Sequence, residues 1–132
     1  DIPVTFLGYI SDKKYLASVV ASADISIAPG PIETFCLSAL ESLASGTPVV
    51  ASETSAVGEF LMINDEDFVG QVAANNGADF ANAIEKVIAR LKTDKTLRSR
   101  CHHQAENFPW SSTISQMLSL GKKSNVRNLR AA

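Results

Sequence analysis

Two glutamates, Glu33 and Glu41, have seven residues between them, in a stretch whose residue types could do chemistry. Glu33 follows two prolines and a glycine, and Glu41 lies in an apolar stretch that predicts a helix beginning near Cys36. The first N–H groups of a helix, here residues 34–37, have no partner within the helix, and its dipole adds about half a positive charge there. The pattern predicts an anion site, with phosphate as the natural ligand.

Carboxylates beside an anion site are useful when the ligand also carries hydroxyl groups. Because residues four apart share a helix face, Glu41 lies one turn beyond Leu37 on the same side. A carboxylate accepts hydroxyl protons well, and such a hydrogen bond contributes about 1.5–3 kcal/mol. A diphosphate with a sugar on each side, a nucleotide-sugar, fits this arrangement. On spacing alone, Glu33 could instead only offset the helix dipole, and Glu41 could be an ordinary exposed residue.

Alternating strands and helices must position this site. The sequence predicts strands at residues 4–7, 24–28, 48–51 and 69–73, and helices at 13–22, 36–45, 78–91, 94–107 and 110–120, with one helical turn at 58–62. Asp12 and Asp94 are the predicted caps of two helices, and Gly46 suits the left-handed position after a third. This order predicts the α/β class, with a Rossmann-like parallel sheet and flanking helices. Such sheets bind ligands at the carboxyl ends of their strands.

Length and charge limit the function classes. The 132 residues predict one domain over 1–120, followed by a tail at 121–132 without a clear period. The net charge is −2, with −7 on residues 1–66 and +5 on residues 67–132. The basic residues form no dense patch interleaved with aromatics, which argues against nucleic-acid binding. Lys122, Lys123, Arg127 and Arg130 could contact anionic lipid weakly.

The cysteines and histidines do not predict a metal site. Cys36 and Cys101 are far apart, so we expect two free thiols in a reducing compartment. Cys36 is interpreted as a small residue at a helix start rather than as a nucleophile. His102 and His103 are adjacent, so they point to different faces of a helix and are expected to be solvated.

The stretch from Glu33 to Glu41, Glu-Thr-Phe-Cys-Leu-Ser-Ala-Leu-Glu, followed by Ser-Leu-Ala-Ser-Gly-Thr-Pro-Val-Val, resembles the Glu-seven-residues-Glu motif of family 4 glycosyltransferases. These are retaining enzymes of the GT-B fold. Residues 6–10, 23–24, 29 and 108–110 also fit the family pattern, so the resemblance covers about residues 4–115. It implies the donor-binding, C-terminal half of a GT-B enzyme, incomplete at its N-terminal side.

The resemblance implies ten donor-binding residues: Tyr9, Ile10, Gly30, Pro31, Glu33, Thr34, Phe35, Cys36, Leu37 and Glu41. Glu33, the implied catalytic residue, would contact hydroxyls of the transferred sugar and support its developing positive charge. Glu41 would hold the ribose hydroxyls. The backbone of residues 35–37 would meet the sugar and diphosphate, residues 30–31 would shape the sugar pocket, and residues 9–10 would lie along the base. Many family members have glycine where this chain has Cys36. The larger cysteine side chain would narrow the space beside the phosphate.

The resemblance also implies what the chain lacks. An arginine and a lysine that grip the diphosphate come earlier in the family's domain, and Lys13 and Lys14 do not match them. The acceptor-binding domain is expected to be missing as well, so the chain alone is predicted to bind donor weakly and to catalyse nothing. Leu118, Leu120 and Leu129 are expected to be exposed, because the last helix would pack on that missing domain.

For the intact enzyme, the resemblance implies transfer of a hexose, with mannose from GDP-mannose favoured, and no metal or cofactor. The acceptor would be a glycan or lipid, and the enzyme would be cytoplasmic, with peripheral association at the inner face of the cell membrane as one alternative. A related GT-B epimerase or phosphorylase, or a non-catalytic nucleotide-binding α/β module, remains an alternative function.

Overall fold

The computed structural model describes residues 2–61 and 66–128, with side chains described as far as Gly121. The strands are β1 (Ser26–Ala28), β2 (Val49–Ser52) and β3 (Gly70–Ala73). The helices are α1 (Lys13–Ser22), α2 (Leu37–Ala44), a short 3₁₀ helix (Ala56–Glu59), α3 (Gly77–Thr93), α4 (Leu97–Glu106) and α5 (Trp110–Asn128). Strands and helices alternate as far as α3, which confirms the predicted α/β class.

The three strands form one parallel sheet with β2 in the centre. Ser26 of β1 pairs with Val49 of β2, which in turn pairs with Gly70 of β3. All four residues of β2 are buried, as expected for an apolar strand covered on both faces. Helices α2 and α4 pack on one face of the sheet, and α3 packs on the other. The predicted Rossmann-like sheet is therefore confirmed.

Local sequence signals fixed several element ends correctly. The Asp12 carboxylate accepts hydrogen bonds from the N–H groups of Lys14 (2.8 Å) and Tyr15 (3.1 Å), so it caps α1 as predicted. Gly46 has φ 78°, the left-handed conformation predicted after α2. The helical turn predicted at residues 58–62 is the 3₁₀ helix, and its predicted end at Met62 lies outside the described residues.

The strand predicted at residues 4–7 is wrong. This segment has no regular structure, and Val4, Phe6 and Leu7 are 67%, 93% and 56% exposed. A strand is stable only when a neighbour pairs with its backbone groups. Within the described residues the sheet contains only β1, β2 and β3, so nothing pairs with this segment.

The corner between α3 and α4 is built around Asp94. Its carboxylate accepts hydrogen bonds from Arg100, from Arg90 Nε (3.3 Å) and from the Thr96 N–H (3.0 Å). The hydrogen bond from Arg100 is the largest cause that holds the pKa of Asp94 well below its ordinary value. The prediction that Asp94 caps α4 is wrong, because the residue before Leu97 is Thr96 and the Asp94 side chain is used to join the two helices.

Helix α5 continues to Asn128, past residue 120 where we expected it to end. Leu118 and Leu120 are 64% and 65% exposed, which confirms the expectation for these two residues. Leu129 lies outside the described residues. Among the described helices, none combines the length and the apolar character that crossing a membrane requires.

Candidate functional site

Helix α2 begins at Leu37, at the carboxyl end of β1, close to the predicted start. Cys36 precedes it with φ 61° and ψ 79°, the left-handed conformation that a residue with a Cβ rarely adopts. Within the described part of the chain, the N–H groups of Leu37 and Ser38 donate no hydrogen bond. These unpaired donors at a helix start can receive an anion.

Glu33 and Glu41 are both exposed, and neither carboxylate has a hydrogen bond or ion pair among the described residues. On α2, Ala39 and Leu43 are buried, whereas Leu37 and Glu41 lie on the open side. The structure therefore leaves both carboxylates available to a ligand beside the helix start. Exposure alone also fits the alternative that they are ordinary surface residues.

The Glu33 side chain folds back over Gly30. A Cβ built on Gly30 would lie 2.8 Å from Glu33 Oε1 and 3.1 Å from Glu33 Cγ. The loop is also held by its neighbour after β2, since the Thr54 hydroxyl donates to the Pro31 carbonyl (2.8 Å) and the Ala56 N–H donates to the Glu33 carbonyl (3.0 Å). The absence of a side chain at Gly30 thus lets Glu33 lie close to the backbone of its own loop.

Helix α4 fixes the far end of α2. His102 Nδ1 lies 2.6 Å from the Ala44 carbonyl, and Arg98 donates to the Gly46 carbonyl (3.4 Å). Nearer the site, Ser42 Oγ lies 2.9 Å from Ser26 Oγ of β1. Because α2 is tied to both α4 and β1, the orientation of the helix axis is fixed at its far end.

The histidines are exposed and the cysteines are unpaired, as expected. The side chains of His102 and His103 are 63% and 82% exposed, which confirms the solvated pair. No cluster of His, Cys, Asp or Glu within the described residues could hold a metal ion. Both thiols are free; Cys36 is half-buried, and burial raises the pKa of Cys101 to about 12.

The remaining predicted residues lie in two separate places. Thr34 and Phe35 are exposed parts of the loop between Glu33 and α2, next to Pro31. Tyr9 and Ile10 lie in the irregular segment before α1, where Tyr9 is 94% exposed. No hydrogen bond or ring contact of the described residues joins that segment to residues 30–41.

Sequence reasoning missed the residues that hold the loop from behind. Thr54 and Ala56 follow β2, and Phe60 follows the 3₁₀ helix. The carboxyl ends of adjacent parallel strands meet at one edge, so the position of Thr54 after β2 was a usable signal. No local sequence pattern predicts the contact between Phe60 and the loop, because this contact depends on how α4 packs.

The geometry defines a Rossmann-like α/β domain with an open helix start at the carboxyl edge of its sheet. Residues 1–90 match the sequence profile of the family described as Glycosyl transferases group 1. Because this match covers more than half of the chain, the chain belongs to that family.

Two relatives show the extent of the similarity. The chain is 42% identical over 118 residues to the GDP-mannose-dependent alpha-(1-6)-phosphatidylinositol dimannoside mannosyltransferase of Mycobacterium tuberculosis, covering 89% of this chain and 29% of the relative. It is 38% identical over 117 residues to the D-inositol 3-phosphate glycosyltransferase of Mycobacteroides abscessus, covering 88% of this chain and 25% of the relative. The chain therefore spans less than a third of each.

A solved structure confirms the fold. The sucrose-phosphate synthase from Thermosynechococcus elongatus, a GT-B glycosyltransferase, superposes with a TM-score of 0.78 at 29% sequence identity. The match covers 93% of this chain and 30% of that chain. The fold is therefore that of part of a GT-B glycosyltransferase.

Proposed function

We propose that this chain binds a nucleoside-diphosphate hexose at the start of α2, with GDP-mannose as the favoured donor. The observation that carries the proposal is the pair of unpartnered carboxylates, Glu33 and Glu41, on either side of unpaired N–H groups at the carboxyl edge of the sheet. The name of the Mycobacterium tuberculosis relative, which is GDP-mannose-dependent, supports the choice of base and sugar.

In the proposed complex, the N–H groups of residues 34–38 receive the diphosphate, and the α2 dipole favours its negative charge. Glu41 accepts the ribose hydroxyl protons, and Glu33 contacts the hexose hydroxyls. Gly30 and Pro31 shape the sugar pocket, and Tyr9 and Ile10 lie along the base. Contacts made by Glu33 that strengthen as positive charge develops on the sugar would accelerate transfer.

In the proposed reaction of the whole protein, the bond between the anomeric carbon and the diphosphate oxygen breaks, and the acceptor hydroxyl oxygen bonds to the anomeric carbon on the same face. The hydroxyl proton passes to the departing nucleoside diphosphate. We propose a glycan or lipid acceptor, because the Mycobacterium tuberculosis relative is named for a phosphatidylinositol dimannoside. We also propose that the reaction needs no metal or cofactor and takes place in the cytoplasm, at the inner face of the cell membrane. The two free thiols support a reducing compartment.

The proposal is tested by NMR titration of the ¹⁵N-labelled chain with GDP, UDP, ADP and inorganic phosphate. We expect GDP to shift the amide signals of residues 34–38 and of Glu41 more than UDP or ADP does. Glu41→Ala should weaken GDP binding about tenfold or more, because it removes hydrogen bonds to a charged acceptor. Glu85→Ala is the matched control, since Glu85 is also an exposed helical glutamate but lies on α3.

Two results would contradict the proposal. One is the absence of any response to nucleotides at millimolar concentration, both in this chain and in a chain extended toward the N-terminus. The other is an equal effect of Glu41→Ala and Glu85→Ala on GDP affinity. A response to GDP without transferase activity in the extended chain would favour a non-catalytic binding module.

A further inference from the structure

Three phenylalanine rings form a closed cluster behind the loop of residues 30–36. Phe35 belongs to that loop, Phe60 follows the 3₁₀ helix, and Phe108 follows α4. Their ring centroids are 5.7 Å apart for Phe35 and Phe60, 6.0 Å for Phe35 and Phe108, and 5.6 Å for Phe60 and Phe108. The interplanar angles of 48–65° are tilted or edge-on, the geometry that aromatic pairs favour.

Two of these rings are fixed to α4. The Phe60 carbonyl accepts a hydrogen bond from Gln104 Nε2 (2.9 Å), and the Phe108 N–H donates to the Ala105 carbonyl (3.1 Å). Phe60 is 2% exposed and is part of the core. Phe60 and Phe108, of which Phe108 is 37% exposed, therefore offer the ring of Phe35 a surface whose backbone is tied to α4.

The loop has few other restraints near the helix start. Its backbone hydrogen bonds to the segment after β2 end at Glu33, whose carbonyl accepts from Ala56. Within the described residues, Thr34 and Phe35 make no hydrogen bond, and Cys36 is in the left-handed conformation. The ring of Phe35 and the half-buried Cys36, which packs against the core, are therefore the contacts that set the path of the chain between Glu33 and α2.

We infer that Phe108 is a positioning residue, which fixes the N–H groups at the start of α2 by holding Phe35 against Phe60. This inference rests on the proposed function of the same N–H groups. In this inference Phe108 acts through its contacts with Phe35 and Phe60.

The test compares Phe108→Ala, Phe108→Leu and a control, Val87→Ala. Val87 is fully buried but packs on the opposite face of the sheet, so its truncation lowers stability without touching the cluster. In the ligand-free chain, we expect Phe108→Ala to lower the ¹⁵N order parameters of residues 34–37 from about 0.85 toward 0.6. Phe108→Leu should restore part of this order, and Val87→Ala should leave it unchanged.

The same variants are then titrated with GDP. We expect Phe108→Ala to weaken GDP binding about fivefold, because the loop is in the binding conformation in a smaller fraction of the molecules. Phe108→Leu should have an intermediate effect. Unchanged order parameters of residues 34–37 in both Phe108 variants would overturn the inference, whether or not GDP binds. A wild-type chain that does not bind GDP would contradict the proposed function alone, because the ligand-free measurement still decides the role of Phe108.

Discussion

Acidic side chains meet opposite surroundings in two regions of this molecule. At the corner between α3 and α4, the Asp94 carboxylate is 17% exposed and is shared by Arg90, Thr96 and Arg100. At the carboxyl edge of the sheet, Glu33 and Glu41 are exposed and have no partner among the described residues. A paired carboxylate joins elements of the fold, whereas an unpaired one beside free N–H groups is available to a ligand.

The two regions also differ in backbone conformation. The corner contains no residue with positive φ, whereas the edge contains Cys36 at φ 61°. Such a conformation costs about 1–2 kcal/mol for a residue with a Cβ. Strain of this kind is often found at functional sites, where the surrounding structure holds it in place. The comparison indicates that the corner joins elements of the domain, whereas the proposed binding edge keeps strained backbone and unpaired groups.

The largest expected difference comes from the same substitution made in each region. Leu97 at the corner is fully buried, whereas Leu37 at the edge is 50% exposed. Leu97→Ala should lower the free energy of unfolding by about 2–5 kcal/mol, because it leaves a cavity. Leu37→Ala should lower it by less than about 1 kcal/mol. Urea denaturation measures both changes in the free energy of unfolding. Equal losses in the two variants would contradict the view that the corner stabilises the domain more than the edge does.

A smaller effect should appear in the pH dependence of stability. The pKa of Asp94 in the folded state lies below its ordinary value of 3.8, so its interactions stabilise the fold above that pH. This contribution is lost as the pH falls through the lower, folded-state pKa. Asp94→Asn should therefore be less stable than wild type at pH 7 and should lose less stability between pH 5 and pH 2. The measurement is urea denaturation between pH 5 and pH 2, with Glu41→Gln as the control. If Asp94→Asn loses as much free energy of unfolding over this range as wild type does, the Asp94 carboxylate does not stabilise the corner.

The smallest expected effect is at Cys36. Cys36→Gly should raise the free energy of unfolding by up to about 1 kcal/mol, because glycine removes the left-handed strain but gains freedom in the unfolded chain. Cys36→Ala keeps the strain and loses the contact between Cys36 Sγ and Ser38 Oγ (3.3 Å), so it should lower stability. Denaturation of the two variants side by side checks this, and a glycine variant less stable than the alanine variant would show that the edge is not strained.

The regions also differ in how well sequence predicts them. The cap at Asp12, the start of α2 and the left-handed Gly46 follow from local chemistry, and all three were predicted correctly. The strand predicted at residues 4–7 failed because a strand needs a partner, which no apolar pattern can supply. Asp94 was misassigned because a capping aspartate and an ion-paired one have the same local sequence.

The sequence by itself determined the α/β order, the helix start at the sheet edge and the carboxylates beside it, because periodicity, turn residues and spacing are local properties. The motif from Glu33 to Glu41 also carried the family, which the match over residues 1–90 confirms. Only the tertiary structure decided that Glu33 lies over Gly30 and that Phe108 meets Phe35. Those contacts join residues whose proximity depends on how the helices pack on the sheet, and no local pattern in the chain specifies that packing.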